Sequence, residues 1–151
     1  MTAVMVKHTG ESKGYWFEAP NSLADKIQPG THVICDTAIG QQRGKVIGTL
    51  ISNGEDEAKE IMTSAGAKFP LRKVTAVECH VPIEEIKVPS YLTHSTPSED
   101  KIVKRFLEYY HTGRFNTKVT VDDDGVLTDG YTAYKVAKLL HLTYLIVVIK
   151  G

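Results

Sequence analysis

The chain has 151 residues, of which 42% are apolar and 24% charged, and this composition excludes global disorder. Its 18 basic and 18 acidic residues cancel, and they divide evenly on either side of Val81. Neither half is therefore a strongly basic module, as a protein that binds nucleic acid mainly through phosphate contacts usually is.

The sequence contains no pattern that predicts export or a membrane-spanning segment. The longest apolar run, residues 144–149, is too short to span a bilayer. Charged residues interrupt the first 20 positions, so we expect no signal peptide, no membrane partner and a cytoplasmic protein. Cys35 and Cys79 are expected to be reduced thiols, and a cross-link between neighbouring strands is the alternative.

The N-terminal half is rich in strand signals. Strands are predicted at residues 2–8, 15–18, 31–37, 42–51 and 72–81, with one short helix at 58–65. A Pro-Gly turn that leads into a β-branched hairpin is typical of small SH3-like barrels. Residues 1–80 are therefore predicted to form a β-rich, barrel-like unit.

The C-terminal half alternates helices and strands. The capping box Thr96-Pro97-Ser98-Glu99 predicts a helix whose N-cap is Thr96 and which ends at Gly113. Apolar residues at helical spacing give it a broad apolar face: Ile102, Val103, Phe106, Leu107, Tyr109 and Tyr110. Further along we predict a strand at 118–121, a turn at 122–125, a strand at 126–128, a helix at 131–142 and a fully buried strand at 144–149.

A run of 22 residues starting at Val119, VTVDDDGVLTDGYTAYKVAKLL, resembles the ParB/sulfiredoxin superfamily. Members of that superfamily read strand, Asp-x-x-Gly, strand, Asp-Gly-His-x-Arg, helix, strand. The stretch VPIEEI, which begins at Val81, resembles the start of the same domain. The resemblance implies a ParB/sulfiredoxin-like α/β unit over residues 81–151.

The resemblance also implies a phosphate site at the turn before the second helix. There a glycine would let phosphate approach the backbone, and the helix N-terminus would attract the anion. Tyr131 and Ala133 stand where the family has histidine and arginine, and Thr132 stands where sulfiredoxin-like members have cysteine, so the family's catalysis is not expected. The candidate ligand-binding residues are Asp129, Gly130, Tyr131, Thr132, Tyr134 and Lys135. In the alternative interpretation Asp129 caps the helix, Gly130 makes the turn and Tyr131 packs.

Two further clusters of charged residues each have a functional and a simpler interpretation. A basic rim for phosphate or nucleic acid could consist of Lys101, Lys104, Arg105 and Lys118, with Arg114; the alternative is a solvated helix face. The acidic turn, Asp122 to Asp124, with Asp129, is interpreted as a solvated hairpin turn, and no metal site is expected.

Together these features predict an α+β protein in which the barrel-like unit packs on the ParB/sulfiredoxin-like unit. We expect a non-catalytic binding or accessory protein of a mobile element, with a degenerate nucleotide or phosphate pocket. One alternative is an enzyme that acts on nucleotide or nucleic-acid phosphate with a replaced catalytic set. Another is a DNA-binding module that uses the N-terminal barrel. The expected partners are a nucleotide or DNA, a protein, or a second copy of this chain, and no cofactor is assigned.

Overall fold

The computed structural model of this α+β protein describes residues 2–51, 55–116 and 118–150. Over those ranges it contains eight strands and five α-helices. No helix in that part of the chain combines the length and the apolar character that crossing a bilayer requires. The chain divides into two compact units, Met1–Glu78 and Cys79–Lys150.

The first unit is a sheet with helices on its connections. Its elements are β1 (Thr2–His8), β2 (Tyr15–Ala19), α1 (Asn21–Ala24), β3 (His32–Thr37), β4 (Gly40–Ile51), α2 (Glu55–Ser64) and the start of β5 (Val74–Pro82). The strand order is β2-β1-β4-β3-β5, and each neighbouring pair is antiparallel. Glu18 forms a parallel bridge with Lys73, and its N–H donates to the carbonyl of Arg72 at 2.9 Å. This link ties β2 to the segment before β5.

Both faces of β1 contribute to the core of the first unit. Val4 and Val6 are fully buried on one face, as the period of two in a strand predicts. Ala3 points to the other face, where it packs with Ala58 and Met62 of α2 in one apolar cluster. Helix α2 therefore covers the Ala3 end of this second face.

The second unit combines a small mixed sheet with three helices. After the end of β5 and a 3-10 turn at Ile83–Glu85, its elements are α3 (Ser90–Thr93), α4 (Glu99–Thr112), β6 (Val119–Val121), β7 (Leu127–Asp129), α5 (Tyr131–Leu139) and β8 (Tyr144–Lys150). Strand β6 pairs in parallel with β8 and antiparallel with β7. Its residues Val119 and Val121 are buried, as is Val147 of β8, so this sheet forms the core of the unit.

Strand β8 is less buried than its continuous apolar sequence predicts. Tyr144 and Ile146 are 58% and 48% exposed, whereas Leu145, Val147 and Val148 are buried. The prediction of a strand buried along its whole length is therefore wrong for its first half. That half is covered on one face only, and an apolar run does not reveal how much of a strand its neighbours cover.

Helix α4 begins later than the capping box predicts. The N-cap is Ser98, which has extended backbone angles and accepts the N–H of Lys101 with its hydroxyl oxygen at 3.4 Å. Thr96 lies outside the first turn, so its hydroxyl is too far back to cap the helix. The predicted end is confirmed, since Gly113 follows the last helical residue in the left-handed conformation with φ of 73°.

The apolar face predicted for α4 is open to solvent over most of its length. No residue of this helix is buried, and Val103, Phe106, Leu107 and Tyr110 are all exposed. Phe106 and Tyr110 stack on each other, with ring centroids 6.4 Å apart. Helical spacing identifies the apolar face of a helix, but it carries no information on whether another element covers that face.

Cys35 lies in the buried part of β3 and is an unoxidised thiol. The predicted reduced state is thus what the structure shows for this residue, and the alternative cross-link does not apply to it. Burial removes the thiolate from water and raises the pKa of Cys35 to about 12.

Candidate groove along helix α5

A stripe of five side chains runs along α5. Tyr131, Tyr134, Lys135, Lys138 and Leu139 are three or four positions apart, so they share one face of the helix. They line an open groove of about 750 Å³ in the second unit. A groove of this size can accommodate a nucleotide-sized ligand.

The other lining residues come from distant parts of the second unit. They are Ile86, Val88, Thr93 and Ile102, with His141 beyond the end of α5. The connector that carries Ile86 and Val88 is held by hydrogen bonds on both sides of Lys87. The Lys87 N–H donates to the carbonyl of Gly125 at 2.9 Å, and the Lys87 carbonyl accepts the N–H of Leu127 at 2.8 Å. This short parallel bridge positions the apolar wall of the groove.

Two tyrosine–lysine pairs form the α5 side of the groove. The rings of Tyr131 and Tyr134 are stacked, with centroids 6.3 Å apart and planes 19° apart. Lys135 Nζ lies 5.5 Å from the centroid of Tyr131, and Lys138 Nζ lies 5.6 Å from that of Tyr134. Cation–π attraction therefore holds both ammonium groups beside the aromatic surface.

Gly130 serves the packing of the second unit. Its φ is 89°, and a Cβ at this position would lie 2.8 Å from Val119 Cα and 3.0 Å from the carbonyl oxygen of Lys118. The side of Gly130 that lacks a side chain therefore faces the backbone at the start of β6. This close approach is a structural reason for glycine at position 130, and the expected phosphate contact at this turn stays a prediction.

The first turn of α5 has no side-chain cap from any residue that the structure describes. Asp129 is exposed, and its carboxylate accepts the N–H of Gly130 at 2.9 Å. It therefore orders the turn but does not cap the helix as the alternative interpretation held. Thr132 is half-buried. Asp129, Gly130 and Thr132 do not line the groove, whereas Tyr131, Tyr134 and Lys135 do.

The four residues of the predicted basic rim do not line the groove either. Lys101, Lys104 and Lys118 are exposed, the first two on α4 and the third before β6. Arg105 pairs with Glu108, whose other oxygen accepts the N–H of Asn116 at 3.1 Å. Arg105 thus contributes to a structural link at the end of α4.

The acidic turn brings three carboxylates together, since oxygen atoms of Asp122, Asp123 and Asp124 lie within 4.8 Å of one another. Asp122 Oδ1 accepts the N–H groups of Asp124 and Val126, both at 2.9 Å. These bonds give the cluster a role in the turn between β6 and β7.

Sequence reasoning missed part of the groove. Lys138 and Leu139 continue the helical spacing that starts at Tyr131, so periodicity alone could have added them. Ile86, Val88 and Thr93 lie some 40 residues before α5 in the chain, and no local pattern connects them to it. Only the three-dimensional structure brings the two walls together.

Comparisons with known proteins give partial similarity. No family model matches the sequence, and no curated protein matches it. Among solved structures, the chain is similar to the C2221 form of a Pnob8-like ParB-N domain, with 23% identity and a TM-score of 0.43. It is also similar to a pNOB8-like ParB N-domain, with 25% identity and a TM-score of 0.42. Each similarity covers 50% of this chain and only 30% and 27% of those chains.

Proposed function

We propose that the α5 groove binds a nucleotide and that the protein is a binding or accessory protein without catalysis at this site. One observation carries the proposal: aromatic and apolar side chains and two lysines line the same concave surface. A nucleotide presents the matching pair of chemistries, a flat base and a polyanionic phosphate chain.

The apolar wall suits the base. Ile86 is buried, Val88 and Ile102 are half-buried, and Leu139 is 67% exposed at the rim of the groove. A base that covers such side chains removes apolar surface from water, which favours binding by about 25 cal/mol for each Å². The exposed surface of Leu139 has the most to gain from a ligand.

The two lysines suit the phosphates. An ammonium group binds phosphate as a point charge with three donors. Lys135 and Lys138 already lie beside Tyr131 and Tyr134, so part of their rotational freedom is lost before a ligand arrives. Pre-ordering of this kind lowers the entropic cost of binding.

Nucleotide binding without hydrolysis is consistent with Ala133, which stands where the ParB/sulfiredoxin superfamily has an arginine. Ala133 is only 1% exposed and packs inside the unit, so it presents nothing to a ligand. A missing bidentate contact to phosphate costs about 1.5–3 kcal/mol in interaction energy. We therefore expect modest affinity and no stabilisation of transferring phosphate charge by this residue.

The test is an equilibrium titration with each of the four nucleoside triphosphates. Replacing both groove lysines, Lys135→Ala with Lys138→Ala, should weaken binding about tenfold or more, because two charge-assisted contacts are lost. The matched control is Lys101→Ala with Lys104→Ala, which removes the same charge from α4 outside the groove. This control should bind as the wild-type protein does.

Two results would contradict the proposal. One is the lack of any binding at millimolar nucleotide, and the other is an equal loss in the control variant. Phosphate release above the protein-free blank would instead favour the enzyme alternative, with His141 as the residue in the groove best suited to move a proton. The link to a mobile element stays a prediction from the sequence resemblance.

A further inference from the structure

Three cationic or titratable side chains form a row across the first unit. Lys7 of β1 is directly opposite Lys45 of β4, and Lys45 is directly opposite His32 of β3. Residues that are opposite in an antiparallel pair point to the same face, with Cβ atoms about 4.5–5.5 Å apart. The row therefore spans three adjacent strands, on the same face of β1 as Ala3.

The charges of this row are not neutralised within the part of the chain that the structure describes. Lys7 and Lys45 are exposed and take part in no ion pair there. Arg43 lies next to the row and donates two hydrogen bonds to Glu78, at 2.8 and 3.0 Å, so this carboxylate is already engaged. Like charges that are directly opposite each other destabilise a sheet. Repulsion between Lys7 and Lys45 therefore lowers the stability of the fold, and folding does not require this pair.

The row lines a depression of about 300 Å³. Its other walls include Thr9, Gly10 and Glu11 of the β1–β2 turn, and the exposed side chain of Ile47. Glu11 is the single carboxylate among these lining residues. The depression thus has a positive surface with one opposing charge at its edge.

We propose that this face, defined by Lys7, Lys45 and His32, binds the phosphate backbone of a nucleic acid. The inference does not depend on the α5 groove. The row crosses two inter-strand spacings, about 10 Å in all, which is longer than one phosphate and suits successive phosphates of a polymer. A concave surface with one apolar contact fits a strand of nucleic acid better than it fits a flat membrane surface.

The test measures the affinity of the full chain for a fluorescent single-stranded 20-mer and for the same duplex, between about 50 and 200 mM salt. The variant Lys7→Gln with Lys45→Gln should bind at least tenfold more weakly at low salt. Its plot of log affinity against log salt should be shallower by about 1.4 to 1.8, because two phosphate contacts are lost. Glu11→Gln should bind more tightly, since it removes the opposing charge.

A matched control separates this face from other lysines. Lys101→Ala with Lys104→Ala removes two charges elsewhere and should keep wild-type affinity for nucleic acid. The melting temperature of the Lys7/Lys45 variant should stay level or rise, because cross-strand repulsion is removed. The same titration with anionic lipid vesicles is run beside the oligonucleotides. The proposal is overturned if no nucleic-acid binding is seen at about 50 mM salt, if the Lys101/Lys104 control loses as much, or if the vesicles bind and the oligonucleotides do not.

Discussion

At the scale of single residues, Gly130 shows how a motif residue can have a packing role. The positive φ alone would favour glycine, and the close backbone of Val119 and Lys118 excludes a Cβ as well. Gly113 also has a positive φ, of 73°, but a Cβ there would meet nothing within 4 Å. Comparing the two glycines therefore separates the free-energy cost of a positive φ from the cost of a steric overlap.

Gly130→Ala should lower the free energy of unfolding by about 1–3 kcal/mol more than Gly113→Ala, because only the first forces an overlap with β6. Both changes share the strain of a positive φ, about 1–2 kcal/mol. Urea denaturation followed by circular dichroism measures both values. Equal losses would show that β6 can shift away at no cost and would contradict the packing role of Gly130.

At the scale of elements, the sequence located most strands and misjudged where helix α4 begins and how far β8 is buried. β-Branched residues and nearby turn glycines made β1, β3 and β4 predictable. The one-turn helices α1 and α3 were missed because four residues are too few to show a helical period.

At the start of α4, the N-cap predicted from the sequence, Thr96, can be compared with the N-cap in the structure, Ser98. Ser98→Ala should lower the free energy of unfolding by about 0.5–1 kcal/mol, at the lower end for an N-cap because its bond to Lys101 is long. Thr96→Ala should cost less than about 0.5 kcal/mol, as for an ordinary surface change. Thermal unfolding of both variants checks this, and the opposite ranking would restore Thr96 as the cap.

At the scale of the whole molecule, local sequence patterns predict the fold class but do not predict the sites. The α+β class follows from the order of the elements, which is a property of the chain in sequence. The groove needs Ile86 and Val88 next to α5, and the cationic row needs the register of β1, β3 and β4. Register depends on the pairing of residues far apart in the chain, so sequence patterns did not reveal Lys7, Lys45 and His32 as neighbours.

The stability of the molecule should depend on alkaline pH through Cys35. Burial raises the pKa of this thiol to about 12 in the folded protein, above its ordinary value of 9.0. Between these values the unfolded chain loses a proton that the folded chain keeps, so stability is full below about pH 9 and falls as pH rises towards 12.

The decrease should approach, as an upper limit, about 1.4 kcal/mol for each pH unit. Urea denaturation at several pH values between 8.5 and 10.5 measures it, with Cys35→Ala as the control for all other titrating groups. The control should be less stable at pH 8 because a buried side chain is shortened, yet it should lose less stability as pH rises. Parallel curves for the two proteins would refute the role of this thiol.

The burial of Ala133 limits which residues this position can take. An arginine at position 133 would enter a site only 1% exposed. An unpaired charge buried there costs several kcal/mol, so helix α5 would have to turn about its axis first. Substitutions are therefore expected to be tolerated more readily at the half-buried groove residues Tyr131 and Lys135 than at position 133.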